Sequence, residues 1–593
     1  MKAYYIRKRR NIYMKKKWIS LLSLCLLGIC GCSGGGNSQN GDRDYYGNRV
    51  ESTIVPRVKA YDVTDETIQL TNTVNYCLDS SVGMAAIRAL QIFLPEIQWK
   101  ETEKSQAKLI LSHQEDISEH AEYYQMQIQP QSISITYRDK LGARNAAATL
   151  SQLLLPSADG YTLSCGQIQD YPDSTFRSAL LESSGRVWKS VDEVKEALIR
   201  MALSKLNYVH FHFMEYMGCI LPFVAYPELP GYGAKNLKYT KEDIRLLVEF
   251  ADSLGIEMIP GIEMPAHSEA ILKVIKGMRC KPDDRSPISS WVVCAGSEET
   301  YQVYRTLLNE VTELFPGRYV HIGGDELDFG EGSGWEPSWM SCSRCKALCN
   351  KEGLASERDI YYYMIRRIYG MVSGLGKEMI MFNDQIDIAS SPDIPREIVI
   401  QFWRIATPGR GPYEGCSMER FLEEGFRIIN SYYPEMYVDF EEYASADSIR
   451  TWTPHKGPNG EVKAQEGQIL GGEFCAWENH AHYAYTYPSV TVLYGDRLWN
   501  CTDVCDYDDS YGAMVTRTVL GINTPKDFNV YTYLGSILPP RDDTNKAYTE
   551  NMRASVQEME EAMAILRELC AKKGYGASAA AAYASCIQWA LTQ

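Results

Sequence analysis

Residues 176–213 read FRSALLESSGRVWKSVDEVKEALIRMALSKLNYVHFHF. The apolar, β-rich run Phe176–Leu181 is followed by Ser190-x-x-Glu193. That is a capping box, in which a serine side chain and a glutamate three residues later satisfy backbone N–H groups at a helix start. An amphipathic stretch and a second apolar run, Tyr208–Phe213, come next. Strand, helix and strand in this order make one β/α unit.

The same rhythm continues along the chain. Apolar, β-rich runs recur at Ile256–Ile262, Tyr319–Gly323, Met379–Phe382, Ile398–Trp403, Phe426–Tyr432 and Ile469–Trp477. Thr240-x-x-Asp243 and Ser356-x-x-Asp359 mark two more helix starts. Eight β/α units in sequence predict an α/β protein built on a (β/α)8 TIM-type barrel, here over residues 171–505. Residues 384–396 are too few and too proline-rich for a full helix, so one crossover is irregular. Upstream, Ala107–Leu111, Tyr124–Ile128 and Ser132–Thr136 read as strands and Ala143–Leu155 as a helix, which predicts a small α+β accessory domain over 51–170. Downstream, 506–593 reads as a helical extension, with helices at Ala547–Lys572 and Ala577–Leu591. Length alone, 593 residues, suggests about three or four domains. A barrel of ~250 residues or more with an accessory domain also fits.

The N-terminus reads as a targeting segment. Basic residues cluster at Arg7–Arg10 and Lys15–Lys17 before an apolar run, Trp18–Ile29, that is short for a bilayer span. Met14 is an alternative initiator, because the lysines after it already form a basic region. The run ends Ile29-Cys30-Gly31-Cys32, then Ser33 and three glycines. This resembles a bacterial lipoprotein signal. It implies removal of residues 1–31, lipid on the Cys32 thiol, a flexible tether over 32–50, and an exported protein held to the membrane, facing the periplasm or the cell surface. The first 31 residues carry eight of the 60 Lys and Arg and no acid, so their removal leaves 52 basic against 76 acidic residues, a net charge of −24. That balance argues against nucleic acid as a partner. Aromatic content is 11%, with 40 Tyr and 11 Trp, which suits sugar stacking or simply an aromatic-rich core.

Seventeen cysteines occur, and Cys342-x2-Cys345-x3-Cys349 stands out. It reads as a metal site or as a disulfide with one thiol left over. Structural zinc takes about four ligands, and no fourth is nearby in sequence. No metal is therefore expected.

Active sites of such barrels lie at the C-terminal ends of the strands. Those ends carry Glu182 with Arg186, Glu215, Glu263 with His267, Asp325 with Glu326, Asp384, Trp403, Tyr437 with Asp439, and Trp477 with Glu478. Carboxylates and aromatics gathered there predict a sugar site.

The fourth run continues His321-Ile322-Gly323-Gly324-Asp325-Glu326-Leu327. It matches the H-x-G-G-D-E motif of family-20 glycoside hydrolases, the β-N-acetylhexosaminidases. The resemblance extends from about residue 50 to 500 and includes Asp496-Arg497-Leu498-Trp499, similar to the family's A-E-R-L-W segment. It implies a retaining exo-β-N-acetylhexosaminidase that releases terminal β-linked N-acetylglucosamine or N-acetylgalactosamine from glycans. The substrate's own acetamido oxygen is the nucleophile, through an oxazolinium-type intermediate. Two adjacent carboxylates then divide two tasks. By resemblance Glu326 is the general acid/base and Asp325 orients and polarises the acetamide. As a coupled pair they would help keep Glu326 protonated near neutrality. Gly323 and Gly324 suit a crowded site floor.

Other positions carry over singly. Arg186, in a segment like S-R-H, would grip sugar hydroxyls. His267, in a segment like P-E-I-D-x-P-G-H, would support Glu326 from behind, with Glu263 beside it. Tyr437 and Asp439 match Y-L-D, a hydroxyl for the acetamide oxygen and a carboxylate for a distal hydroxyl. Trp403 and Trp477 would wall the pocket. No metal or organic cofactor is implied; the partners are a glycan and, through the anchor, a membrane.

The chain also departs from the pattern. Glu215 and Glu263 stand where the family has aspartates, which suggests a rearranged network. The Q-G-W-R segment is missing after Glu215, and Phe382-Asn383-Asp384 replaces W-x-E. Trp477-Glu478-Asn479 stands for W-x-E, so Asn479 rather than Glu478 takes the position that contacts a distal hydroxyl. A non-catalytic glycan-binding protein on a degenerate barrel is the alternative reading. The trio Asp325, Glu326 and Tyr437 speaks against it, since binding alone needs no acid.

Overall fold

The computed structural model of the chain describes residues 54–157, 160–184, 189–215, 218–230, 238–282, 288–327, 329, 337–388, 392–405, 417–438, 446–477 and 491–501. The expected signal, the tether with Cys32 and the helical extension lie outside them. Among the described residues no helix is long and apolar enough to cross a membrane.

Eight parallel strands close into a barrel in chain order: β1 (Phe176–Glu182), β2 (Tyr208–His212), β3 (Glu257–Gly261), β4 (Tyr319–His321), β5 (Glu378–Phe382), β6 (Val399–Phe402), β7 (Arg427–Asn430) and β8 (Ile469–Phe474), which pairs back to β1. All eight runs expected from the sequence are strands. The crossover helices lay apolar faces on the barrel and form all three capping boxes: Ser190 with Glu193, Thr240 with Asp243, and Ser356 with Asp359. Residues 384–388 and 392–396 contain no α-helix, as their proline content implied.

Inside the barrel, Phe176, Ile259, Tyr319, Ile380, Val399 and Ile429 form one apolar layer. A polar layer lies with it: Glu473 meets His210 Nδ1 at 3.1 Å and accepts from Ser178 Oγ at 2.6 Å and Gln401 Nε2 at 2.9 Å. Strand register then sets up the site, with Glu182 beside His212, His212 beside Gly261, and Gly261 beside His321. Gly261 makes that row possible, because a Cβ there would sit 2.5 Å from His210 Nε2.

Six of the strands stop one to three residues earlier than their apolar runs. β3 ends at Gly261 and β8 at Phe474. β4 ends at His321, because Gly323 (φ +67°) and Gly324 (φ +89°) turn the chain into left-handed backbone that leaves the ladder.

The accessory domain is a sheet in the order Ala60–Leu70, Gly160–Asp170, Tyr124–Ile128, Ile133–Tyr137, Leu109–His113, Thr73–Leu78, Gln98–Glu101, with Leu155–Ser157 pairing Gly160–Asp170. Helices Met84–Phe93 and Lys140–Leu153 pack with it. Its seam with the barrel is ionic and buried. Arg177 Nη2 meets Glu122 at 2.6 Å, and Lys205 Nζ meets Asp170 at 2.6 Å beneath the Trp499 ring. Buried charges persist only when paired in this way.

The cysteine reading needs correction. Cys349 is not in the cluster. Cys280 and Cys294, from the loop after β3, join Cys342 and Cys345 instead, all four buried. Spacing along the chain hid this, because the partners lie 48 to 65 positions upstream.

Candidate active site

Past the end of β4 the chain places Asp325 and Glu326 on a turn with little freedom. Tyr361 donates its hydroxyl to Gly324 O at 2.6 Å, and a Cβ on Gly324 would meet Met381 Cε at 2.9 Å. A Cβ on Gly323 would overlap the Glu263 carboxylate. Glu326 itself adopts φ +55°, and His267 φ +50°. Left-handed backbone costs a non-glycine residue roughly 1–2 kcal/mol, and such strain gathers at functional sites. Gly323→Ala is therefore expected to lower the melting temperature and, by displacing Glu263, the turnover. Thermal unfolding and kinetics on one preparation check this, and two unchanged values would sink it.

His267 joins the pair. Its Nε2 lies 3.5 Å from Glu326 Oε2 and 3.7 Å from Asp325 Oδ2, while Nδ1 meets Glu215 Oε1 at 2.7 Å. Trp291 packs on the ring at 4.3 Å between centroids. Burial alone would drive the His267 pKa down, but the charges of Glu215 and Asp325, the hydrogen bond to Glu215 and the nearby Glu326 carboxylate hold it well above the ordinary value. Asp325 is pushed well above the usual carboxylate range, first by burial and then by Glu263, Asp384 and Glu326, against the opposing pull of His267. Its Oδ1 is buried without a hydrogen-bond partner.

A second histidine lies beneath. His212 Nδ1 meets Glu182 Oε2, and Nε2 meets Glu263 Oε1 at 2.9 Å. Burial lowers its pKa, yet the two carboxylates outweigh that and hold it up to about 10. A histidine so raised stabilises the fold fully below its unfolded value of ~6.5 and loses that contribution as pH rises through about 10. The urea midpoint is thus expected to fall between pH 6.5 and 10, and less steeply in His212→Gln. Equal slopes would refute the assignment.

The neighbouring wall is aromatic. Trp403 stacks on Tyr437 with centroids 5.8 Å apart and planes 7° from parallel. Trp477 lies 6.3 Å from Tyr437 and 5.0 Å from His212. Asp384 ties this wall to the carboxylates. It accepts from Trp403 Nε1 (3.2 Å), Arg404 Nη2 (2.8 Å) and the Glu326 backbone N–H (3.1 Å). Arg404 stacks over Trp403 at 4.1 Å and brings Nη1 to 3.6 Å from Glu326 Oε1. The flat aromatic faces thus adjoin the carboxylates, an arrangement that suits a sugar ring.

The profile of the glycosyl hydrolase family 20 catalytic domain matches residues 175–492, more than half of the chain, and that of the family's domain 2 matches 51–171. This chain belongs to glycosyl hydrolase family 20. It is 24% identical over 387 residues to the human β-hexosaminidase subunit beta, covering 63% of this chain and 65% of that protein. It is 26% identical over 401 residues to a β-hexosaminidase of Porphyromonas gingivalis, covering 62% of this chain and 48% of that protein. The chain thus spans less than two thirds of either relative. Its fold matches the family-20 exo-β-N-acetylglucosaminidase of Vibrio harveyi, solved with N-acetylglucosamine, at a TM-score of 0.66 and 21% identity, covering 78% of this chain and 75% of that one.

Of the family-20 positions expected from the sequence, the structure brings Asp325, Glu326, His267, Glu215 and Glu263 into one acidic cluster, and Trp403, Tyr437 and Trp477 into one wall. Arg186, Asp439, Glu478 and Asn479 lie outside the described residues. Glu215 is 2% exposed and sits against the Nδ1 side of His267, away from Asp325 and Glu326. The longer carboxylates Glu215 and Glu263 do not pair with each other; each takes a different histidine. Sequence reasoning missed Arg404 and the bond that His212 makes to two carboxylates. The signals were present: Arg404 follows Trp403 at a strand end, and His212 is the last residue of β2.

Proposed function

We propose that the protein is a retaining exo-β-N-acetylhexosaminidase, exported and held to a membrane by lipid on Cys32, that removes terminal β-linked N-acetylhexosamine from glycans by substrate-assisted catalysis. The observation that carries the catalytic reading is the placement of Asp325 and Glu326. Their carboxylates and His267 each offer an atom within 4.8 Å of the others. Both carboxylates converge on the Nε2 edge of His267, an arrangement that suits an enzyme whose substrate supplies the nucleophile. One carboxylate is left to serve the leaving oxygen and the other the acetamide.

The sequence of events follows from the residues. A sugar stacks on the Trp403, Tyr437 and Trp477 wall. Its acetamido N–H donates to Asp325, whose buried Oδ1 is free to accept it. That bond aims the acetamide oxygen at the anomeric carbon. Glu326 gives its proton to the glycosidic oxygen as the carbon–oxygen bond breaks and the acetamide oxygen bonds to carbon. The oxazolinium is then opened by water, which loses its proton to Glu326. Asp325 balances the cation formed between these steps.

The V. harveyi complex with N-acetylglucosamine and the named hexosaminidases support this substrate class. The test is release of 4-nitrophenol from the β-N-acetylglucosaminide, the β-N-acetylgalactosaminide and the plain β-glucoside. Turnover of an acetamido substrate with none of the glucoside is expected. Folded protein inert on all three would favour a glycan-binding role. Labelling the intact chain with a radioactive fatty acid, lost in Cys32→Ser, tests the anchor.

A further inference from the structure

Four thiols, Cys280, Cys294, Cys342 and Cys345, converge in the interior away from the sugar pocket, with one sulfur from each lying within 4.8 Å of the others. Sulfur separations are 4.0 Å for Cys280 and Cys345, 3.8 Å for Cys294 and Cys342, and 3.6 Å for Cys294 and Cys345. Four zinc–sulfur bonds of ~2.3 Å in a tetrahedron set sulfur–sulfur edges of about 3.8 Å. A disulfide would require ~2.05 Å. The spacing is that of a tetrahedral thiolate set.

The surroundings suit negative sulfur. The backbone N–H of Lys281 donates to Cys342 Sγ, and that of Gly296 to Cys345 Sγ, both at 3.3 Å. Such donors orient and tune metal-bound ligands. Cys342 is the N-cap of helix Ser343–Glu352, and Cys345 lies in its first turn, where the helix dipole favours a thiolate. Gly296 has to be glycine, since a Cβ would overlap the backbone of Arg344 and Cys345. Arg344 sets a positive charge beside the cluster, donating to Gly277 O (3.3 Å), Ser297 Oγ (3.1 Å) and Arg279 O.

We propose that Cys280, Cys294, Cys342 and Cys345 bind one zinc ion as a closed structural site. On binding, the four thiols release four protons and the centre carries a charge of −2, half of which Arg344 offsets. All four positions are filled by protein, so no coordinated water is left for catalysis. Soft thiolates exclude calcium and magnesium.

The ion acts as a staple between two catalytic loops. Cys280 and Cys294 lie in the segment after β3 that supplies His267. Cys342 and Cys345 lie in the segment after β4 that supplies Asp325 and Glu326. Trp291, three residues before Cys294, packs on His267, and Trp339, three before Cys342, donates Nε1 to Val293 O at 2.8 Å. Zinc thus fixes the ground on which the acid pair and its histidine stand.

Elemental analysis of the full chain, purified without a polyhistidine tag or chelator, tests this together with thiol counting by mass spectrometry. One zinc per chain is expected. Cys294→Ser and Cys342→Ser should lose it and melt at lower temperature, while Cys349→Ser keeps it. Cobalt exchange should give a thiolate-to-cobalt charge-transfer band with tetrahedral d–d bands. Should the serine variants fail to fold, the wild-type zinc content and cobalt spectrum still decide. Folded wild type that takes up no added zinc, a mass deficit mapping disulfides to these four residues, or iron with sulfide in place of zinc would each overturn the proposal.

Discussion

Glu326→Gln is expected to lower kcat by ~10²–10⁴, the range that a positioned general acid/base contributes. The amide keeps the size of the side chain and its place beside His267 and Arg404, but it can neither give a proton to the glycosidic oxygen nor take one from water. The loss should depend on the aglycone. A good leaving group such as 4-nitrophenol needs little protonation as it departs, so the first step should suffer least there and most with an alkyl or sugar aglycone. A variant that keeps wild-type turnover, or loses it equally for every aglycone, would remove Glu326 from the acid role. Thermal unfolding of the same preparation separates chemistry from misfolding.

Asp325→Asn is expected to cost ~10²–10³ in kcat, the scale seen when one preorganised electrostatic group is removed from a transition state. Here the loss should be the same for good and poor leaving groups, because Asp325 serves the acetamide and the cation rather than the departing oxygen. The fold should tolerate the change. Asp325 is buried among Glu263, Asp384 and Glu326, and burial already pushes its carboxyl towards the neutral form. Removing its charge relieves that repulsion, so the variant is expected to melt at or above the wild-type temperature while turning over far more slowly. Loss of stability with unchanged turnover would contradict the assignment. The opposing trends belong to a residue kept for chemistry at a cost in stability.

The barrel was legible in the chain because each strand buries both faces and reads as an apolar run, and because capping boxes punctuate the helices between them. The acid pair was legible through its resemblance to the family-20 motif H-x-G-G-D-E, and its place just past β4 agrees with where barrel sites form. The helix at Lys140–Leu153 and the strand Tyr124–Ile128 were equally plain from local pattern. What local pattern could not supply was where runs stop, since left-handed turns at Gly323 and Gly324 look like any other glycine pair until the overlap with Glu263 is seen.

The sequence by itself determined the eight-strand order, the accessory domain and the residue types at the strand ends, because these follow from hydrophobic period and short-range capping. Only the tertiary structure decided which histidine each of Glu215 and Glu263 holds, that Arg404 and Asp384 bridge the aromatic wall to Glu326, and that Cys280 and Cys294 rather than Cys349 complete the thiol cluster. Those are contacts between segments about twenty to eighty residues apart. Barrel register and loop packing fix them, and no periodicity along one stretch of chain encodes such a distance.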